Sequence, residues 1–294
     1  MDKPVYSICI CNFNMNNTLK SSLETILLQL NDQFEVVVVD DGSSDGSLNT
    51  LLELRNIYSN LRVIPLLRDR RRKLGETRNV SVRAAKGKYL ILHIDCDDLW
   101  DSFIISFTKI YHELEKRLSR EDFFLSGRQI QMGTKKLLLE NPYRNIYYGE
   151  DRMLWNDLLV LGKLIIIDHQ NFRKRIPIKE LKRKFFKMIY SQYSFMECAF
   201  AYTNNPIQDL SGYLKGILFN MKFPFKRSLL CLILLIPAFL KGLLKFFTHK
   251  NIHLFNMKFK YLATINLDEL EKQTKDQFGD FPLNSSERDI YFLS

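Results

Sequence analysis

The chain opens on apolar runs that alternate with helical stripes. Val5 to Ile10 is a short β-rich run that leaves through a polar exit, Asn12-Phe13-Asn14. Leu19, Leu23, Ile26, Leu27 and Leu30 then recur at helical spacing. Val36 to Val39 is an unbroken β-branched run, the pattern of a strand covered on both faces. Asp41-Gly42-Ser43-Ser44 turns the chain, and the helical period restarts from Leu48 to Tyr58. Leu61 to Leu67 predicts a third strand, Gly75 to Ala85 a third helix, and Tyr89 to Ile94 a fourth strand. Strands alternating with helices predict an α/β fold, a doubly wound and mostly parallel sheet whose ligands lie beyond the carboxyl ends of its strands.

Two of those strands end in acids that have no packing use. One run closes on Asp40-Asp41 and the other on Asp95-Cys96-Asp97-Asp98. Asp95 and Asp97 are one residue apart, so on an extended strand they share a face and both reach one cation. Such a pair is a clamp for a hard divalent ion and the phosphates it carries. The competing reading is a helix cap, with Asp97 or Asp98 opening a helix from Leu99 through His112. Asp40 and Asp41 equally suit an Asx turn that stops the second strand.

Five motifs occur in a fixed order: Asn12-Phe13-Asn14; Val38-Val39-Asp40-Asp41-Gly42-Ser43-Ser44-Asp45-Gly46; Gly75 with Arg78-Asn79; Gly87-Lys88-Tyr89 leading into Asp95-Cys96-Asp97-Asp98; and Gly149-Glu150-Asp151-Arg152-Met153-Leu154-Trp155. Over roughly the first 165 residues this succession resembles the family-2 glycosyltransferases of the GT-A fold. The resemblance implies that Asp95 and Asp97, with Asp98 close by, hold Mn²⁺ or Mg²⁺ against the diphosphate of a nucleoside-diphosphate sugar donor. It implies that one of the Asp40-Asp41 pair, Asp40 ahead of Asp41, accepts hydrogen bonds from the base or ribose, and that Asn12 and Asn14 line the base pocket. Arg78 falls where the family often places a cation near the nucleotide, although seven basic residues between Arg68 and Arg83 also suit a solvated charge run.

Glu150-Asp151 bears on the reaction type. A helix starting near this pair sets both acids in its first turn, where the dipole favours a carboxylate. An attacking hydroxyl needs a base as its bond to the anomeric carbon develops. The resemblance gives that task to Asp151, with Glu150 positioning the acceptor hydroxyl, in an inverting single displacement. A merely charged first turn followed by core residues Leu154, Leu158 and Leu161 is the plainer alternative.

Charge divides the chain further. Residues 1–160 carry 22 basic and 22 acidic side chains, Lys163 through Lys260 carry 18 against 4, and residues from Tyr261 onward carry 3 against 7. The resemblance implies a catalytic domain at 1–165, and these shifts predict a basic helical membrane-associated region at 166–260 and an acidic C-terminal tail at 261–294. In the basic region Ile178, Leu181, Phe185, Met188, Ile189, Tyr193, Met196 and Phe200 keep a helical period among lysines and arginines. Leu229 to Leu240 is twelve apolar residues with Pro237 inside, flanked by Lys226-Arg227 and Lys241. Twelve is short of the ~20 that span a bilayer, so the pattern predicts elements lying in an anionic lipid face, with a buried core helix as the alternative. The acceptor expected there is a lipid-linked or membrane-proximal glycan, at the cytoplasmic face of the membrane. The first strand begins within about five residues of the start, leaving no secretory signal in this sequence. Five cysteines without zinc spacing fit a reducing compartment.

Two other classes compete. A pI near 9.3, with runs such as Arg70-Arg71-Arg72-Lys73 and Arg173-Lys174-Arg175, suits a nucleic-acid-binding protein. Long aliphatic runs between the basic residues suit lipid better, and no nucleic-acid partner is expected. A nucleotidyltransferase would want a Gly-rich phosphate loop after the first strand, where this chain has Cys11-Asn12-Phe13-Asn14.

Overall fold

The first predicted elements form in order: β1 (Tyr6–Asn12), α1 (Asn16–Leu27), β2 (Phe34–Asp40), α2 (Ser47–Ile57), β3 (Leu61–Pro65), α3 (Leu74–Ala84) and β4 (Tyr89–Ile94). The structure, a computed structural model, describes residues 3–146, 149–177, 189–190, 192–194, 196–197, 199–201, 205–219, 225–248 and 264–293. After β4 come β5 (Asp98–Trp100), α4 (Ile104–Arg117), β6 (Phe124–Ser126), β7 (Gln131–Thr134), α5 (Lys135–Glu140), α6 (Glu150–Val160), β8 (Leu164–Ile166) and β9 (Arg173–Arg175). The helix expected from Leu99 begins instead at Ile104 with Phe103 at its N-cap, so neither Asp97 nor Asp98 caps it. Asp98 lies in β5, whose register pairs it with Arg175. Its carboxylate is drawn to the arginines of β9 rather than to a helix end.

Seven strands form one sheet in the order β3-β2-β1-β4-β7-β6-β8. β3, β2, β1 and β4 run parallel, and β7 joins β4 antiparallel. The chain builds outward from β1 through β2 to β3, then crosses to the other side of β1 to lay down β4. The order therefore reverses between β1 and β4, and such a switch point opens a crevice at the carboxyl ends of the strands. β1 ends in Asn12, and β4 leads directly into Asp95.

Side chains alternate across the pleat and build two cores. Ile8, Ile10, Val36, Val38 and Ile91 face one side, packed with Leu19, Leu23 and Ile26 of α1, Leu51 and Leu54 of α2, and Phe107 and Tyr111 of α4. Cys9, Leu90 and Leu92 face the other side with Val82 of α3, Leu137 and Leu138 of α5, and Leu154 and Leu158 of α6. The acidic segment from 261 onward, read from its charge as a separate tail, contributes to the first core. Two helices there, α9 (Leu267–Phe278) and α10 (Ser285–Tyr291), deliver Leu267, Leu270 and Tyr291 into it, and the segment between them adds Phe281.

Between these parts lie α7 (Pro206–Phe219) and α8 (Phe225–Thr248). The stripe expected from Ile178 lies largely outside the described residues, whereas its end, Met196 and Phe200, packs with Leu235 and Ala238 of α8 in a cluster of its own. A Cβ on Gly242 would come within 2.6 Å of Phe200 and 2.8 Å of the Glu197 carbonyl, so glycine permits this close crossing. The twelve apolar residues are the middle of a longer helix. Ser228–Phe247 is 20 residues, long and apolar enough to cross a membrane by length and composition, and 17% of it is buried.

Candidate active site

β1 and β2 end in register, with Asn12 beside Asp40. Asn12 donates its Nδ2 to Asp40 Oδ1 at 2.6 Å and to Ser43 Oγ at 3.2 Å. Ser43 donates to Asp40 from its amide at 3.0 Å and from its hydroxyl at 2.6 Å. The Asn14 amide donates to Ser43 Oγ at 2.9 Å, while Asn14 Oδ1 accepts the Ser44 amide at 2.8 Å. Asn14 has φ 54, a left-handed conformation that asparagine tolerates better than most residues. Asp40 is thus buried and organises the turn. Asp41 accepts from Arg68 Nη1 at 2.7 Å and from Arg72 Nε at 2.6 Å. The Arg68 guanidinium in turn lies 4.3 Å from the centre of the Phe13 ring, which is 41% exposed at the mouth of the crevice.

The β4 tip is built differently. Asp95, Asp97 and Asp98 each offer a carboxylate oxygen within 4.8 Å of the others. Arg175 reaches all three, Asp97 at 2.8 Å, Asp98 at 3.1 Å and Asp95 at 3.6 Å. Arg173 joins Asp98 alone at 3.0 Å. Asp98 is fully buried and both of its oxygens are engaged, whereas the Asp95 side chain is 41% exposed. Three hard oxygen donors converging at a crevice suit a magnesium or manganese ion, with Asp95 and Asp97 the better placed pair.

At the start of α6, Gly149 turns the chain in a left-handed conformation, and Glu150 and Asp151 occupy the first turn. Arg78, read as a nucleotide cation or a solvated charge, is buried. Its Nε donates to Glu150 Oε1 at 3.1 Å, and Tyr143 lies beside its guanidinium. Burial works against the Arg78 charge, but Glu150 foremost outweighs it and holds the guanidinium above its usual range. The expected preference of the helix end for an ionised Glu150 is overridden. Burial pushes this carboxyl up to about 7, Arg78 opposes the rise and the neighbouring Asp151 adds to it. Asp151 is only half-buried, and its Oδ1 accepts the Arg152 amide at 2.8 Å. A close approach locks α3 to this region, because a Cβ on Gly75 would strike the Arg144 carbonyl at 1.8 Å.

Three residues of this site escaped the sequence reading. His93, at φ 66 near the end of β4, has its pKa pushed down first by burial and then by Arg78, and it also feels Asp95, Asp151 and Arg173. The metal-ligand candidates and the α6 acids therefore share one neighbourhood. A lone histidine in the run Tyr89-Leu90-Ile91-Leu92-His93-Ile94 was its signal. Arg173 and Arg175 stood in a run read for nucleic acid. Their spacing of two, which on a strand puts both on one face, was the mark of a shared target.

Residues 7–116 match the family model described as Glycosyl transferase family 2. A protein named "Uncharacterized glycosyltransferase" of Rickettsia felis is 28% identical over 201 residues, 58% of this chain and 33% of the relative. UDP-Glc:alpha-D-GlcNAc-diphosphoundecaprenol beta-1,3-glucosyltransferase WfgD of Escherichia coli is 24% identical over 159 residues, 54% of this chain and 56% of the relative. The chain thus spans a third to about half of the length of these relatives. Among solved structures, S. aureus TarS 1-349 in complex with UDP-GlcNAc has a TM-score of 0.52 at 13% identity, covering 94% of this chain and 88% of that one. Mannosyltransferase PcManGT from Pyrobaculum calidifontis, in complex with GDP-Man and Mn²⁺, has a TM-score of 0.50 at 14% identity, covering 86% and 77%. At such identities the likeness is one of fold, and that fold is the GT-A type.

Proposed function

Residues 7–116 belong to glycosyl transferase family 2, and from that premise we propose that this enzyme is an inverting, metal-dependent glycosyltransferase. It moves one sugar from a nucleoside diphosphate onto a lipid-linked or membrane-proximal glycan. The observation that carries this reading is the cluster of Asp95, Asp97 and Asp98, whose carboxylate oxygens lie within 4.8 Å of one another just beyond β4, beside the point where the strand order reverses. A PcManGT complex with GDP-Man and Mn²⁺, and a WfgD named for a UDP-Glc donor and a diphosphoundecaprenol-linked acceptor, support the donor and acceptor classes.

Asp95 and Asp97 are the residues that would hold Mn²⁺ or Mg²⁺, which when bound neutralises the diphosphate leaving group. Asn12, Asn14, Asp40 and Asp41 shape the nucleoside side. Asp40 does so by fixing the turn and Asp41 by holding Arg68 against Phe13. Asp151, half-buried and open to an acceptor, takes the proton of the attacking hydroxyl. As that oxygen bonds to the anomeric carbon, the bond from the same carbon to the diphosphate oxygen breaks, and a single displacement inverts the centre. Glu150, fixed by Arg78, orients the acceptor hydroxyl.

The membrane assignment rests on α8. Leu229, Ile233, Ile236, Leu240, Leu244 and Phe247 are exposed along one stripe, while Leu235, Ala238 and Gly242 are buried against the protein. A helix gripped along one side and greasy along the other suits a bilayer interface, and the basic segment around it suits an anionic, cytoplasmic leaflet. The test of the whole reading is a panel of nucleotide sugars with Mn²⁺ or Mg²⁺, scored by thermal shift and donor hydrolysis. One donor is expected to stabilise the protein only with metal. No response to any nucleotide sugar would defeat the proposal.

A further inference from the structure

The three acids of the β4 tip already have a cation. Arg175 contacts Asp95, Asp97 and Asp98 at once, and the β5–β9 ladder brings its backbone opposite Asp98. Its partner Arg173 is tied more firmly. The Arg173 side chain is 19% exposed, pairs with Asp98 and lies beside Trp100, whereas the Arg175 side chain is 54% exposed. One arginine is a fixture of the fold, and the other sits at the open edge, over the two acids best placed for a metal.

Resting on the metal-site reading above, we propose that Arg175 is a resident counter-cation which competes with the divalent ion for Asp95 and Asp97. A guanidinium and a divalent ion cannot share these two carboxylates without strong repulsion, since the double charge of the ion doubles its repulsion of a nearby guanidinium. Arg175 must swing off for the ion to enter. Its exposure makes that swing inexpensive, and Asp98 stays neutralised by Arg173 meanwhile. The device keeps three close carboxylates compensated in the resting enzyme. It also weakens metal binding before the donor arrives, because the ion alone must displace an arginine, whereas ion and donor diphosphate together leave Arg175 an anion nearby.

The test measures Mn²⁺ binding to the full chain without donor, by electron paramagnetic resonance of free Mn²⁺, in wild type, R175Q and R173Q. R175Q is expected to bind Mn²⁺ roughly tenfold more tightly than wild type, and R173Q, which loses a structural pair of Asp98, to show no such gain. Equal or weaker binding in R175Q overturns the inference while leaving the metal site standing. Absence of Mn²⁺ binding in every form, with or without donor, overturns the metal site and the inference together. Should R175Q fold poorly by circular dichroism, wild-type protein decides. Mg²⁺ is expected to raise phenylglyoxal modification of Arg175 severalfold, mapped by mass spectrometry, and an unchanged or lower yield at that residue counts against the swing.

Discussion

The tips of β2 and β4 carry the same sequence signature, an apolar strand ending in adjacent aspartates, yet they are chemically unlike. At β2 every acid is committed. Asp40 is enclosed by Asn12 and both donors of Ser43, and Asp41 is held by Arg68 and Arg72. At β4 three acids share one half-exposed arginine. The difference teaches that acid content alone does not mark a metal site. What matters is how enclosed the partners are: the Ser43 and Asn12 donors and the largely buried Arg72 hold the β2 acids, whereas the Arg175 side chain over the β4 acids is 54% exposed.

The comparison breaks most visibly at β4. Asp97→Ala is expected to abolish metal-dependent donor binding, measured by calorimetry with and without Mn²⁺, while circular dichroism stays native. Undiminished metal-dependent binding would place the ion elsewhere. Next in size is Asp151→Asn, which keeps shape and loses basicity. Transfer is expected to fall roughly 10²–10⁴-fold with donor affinity retained, and a parallel loss of affinity would assign Asp151 to the donor site instead.

At β2 the effects are on stability. Asp40→Ala strands three donors in a buried turn, so a loss of about 2–3 kcal/mol is expected in urea unfolding. Asp41→Ala leaves Arg68 able to reach water and Arg72 still bonded to the Leu67 carbonyl, so the expected loss is smaller, about 1–2 kcal/mol. Equal costs at both positions would contradict the distinction between a closed turn and a rim ion pair. The smallest effect is a pH slope. Glu150 holds its proton more tightly folded, near 7, than at its ordinary 4.5. Its stabilising contribution is therefore complete below about 4.5 and lost as pH rises through about 7. Urea midpoints of Glu150→Gln against pH should lack that decline.

Much of this was legible beforehand because the signals were local. The unbroken Val36–Val39 run gave a buried strand, the Leu19–Leu27 stripe gave α1, and the first turn of α6 was placed at Glu150 and Asp151. What stayed hidden depends on contacts far apart in sequence. Nothing near Arg78 announces that it will be buried against Glu150, 72 residues on, and nothing near Asp98 announces the β9 arginines. Local charge density left Arg78 open as a nucleotide cation or a solvated charge and Arg173-Lys174-Arg175 as a lipid- or nucleic-acid-facing run, whereas Arg78 is buried on Glu150 and Arg173 and Arg175 pair with Asp98. The length of α8 was underread for a related reason. Lys241 seemed to end the apolar run, but it and Lys245 turn to Glu197 at 3.1 and 2.5 Å, so the helix carries both without surrendering its exposed stripe.

The place of residues 264–293 bears on the order in which the chain is assembled. Arg117, at the end of α4, is enclosed by the Thr274 hydroxyl, the Gly279 carbonyl and the Phe281 ring, and Tyr291 sits among Phe107, His169 and Phe172. During synthesis, everything from β1 to β9 is therefore made well before the side chains that close its larger core. Until they arrive, Phe107 and Phe172 present an uncovered apolar surface, the kind of half-built state that invites misassembly. Arg117, made soon after β4 and β5, waits for a partner more than 150 positions later.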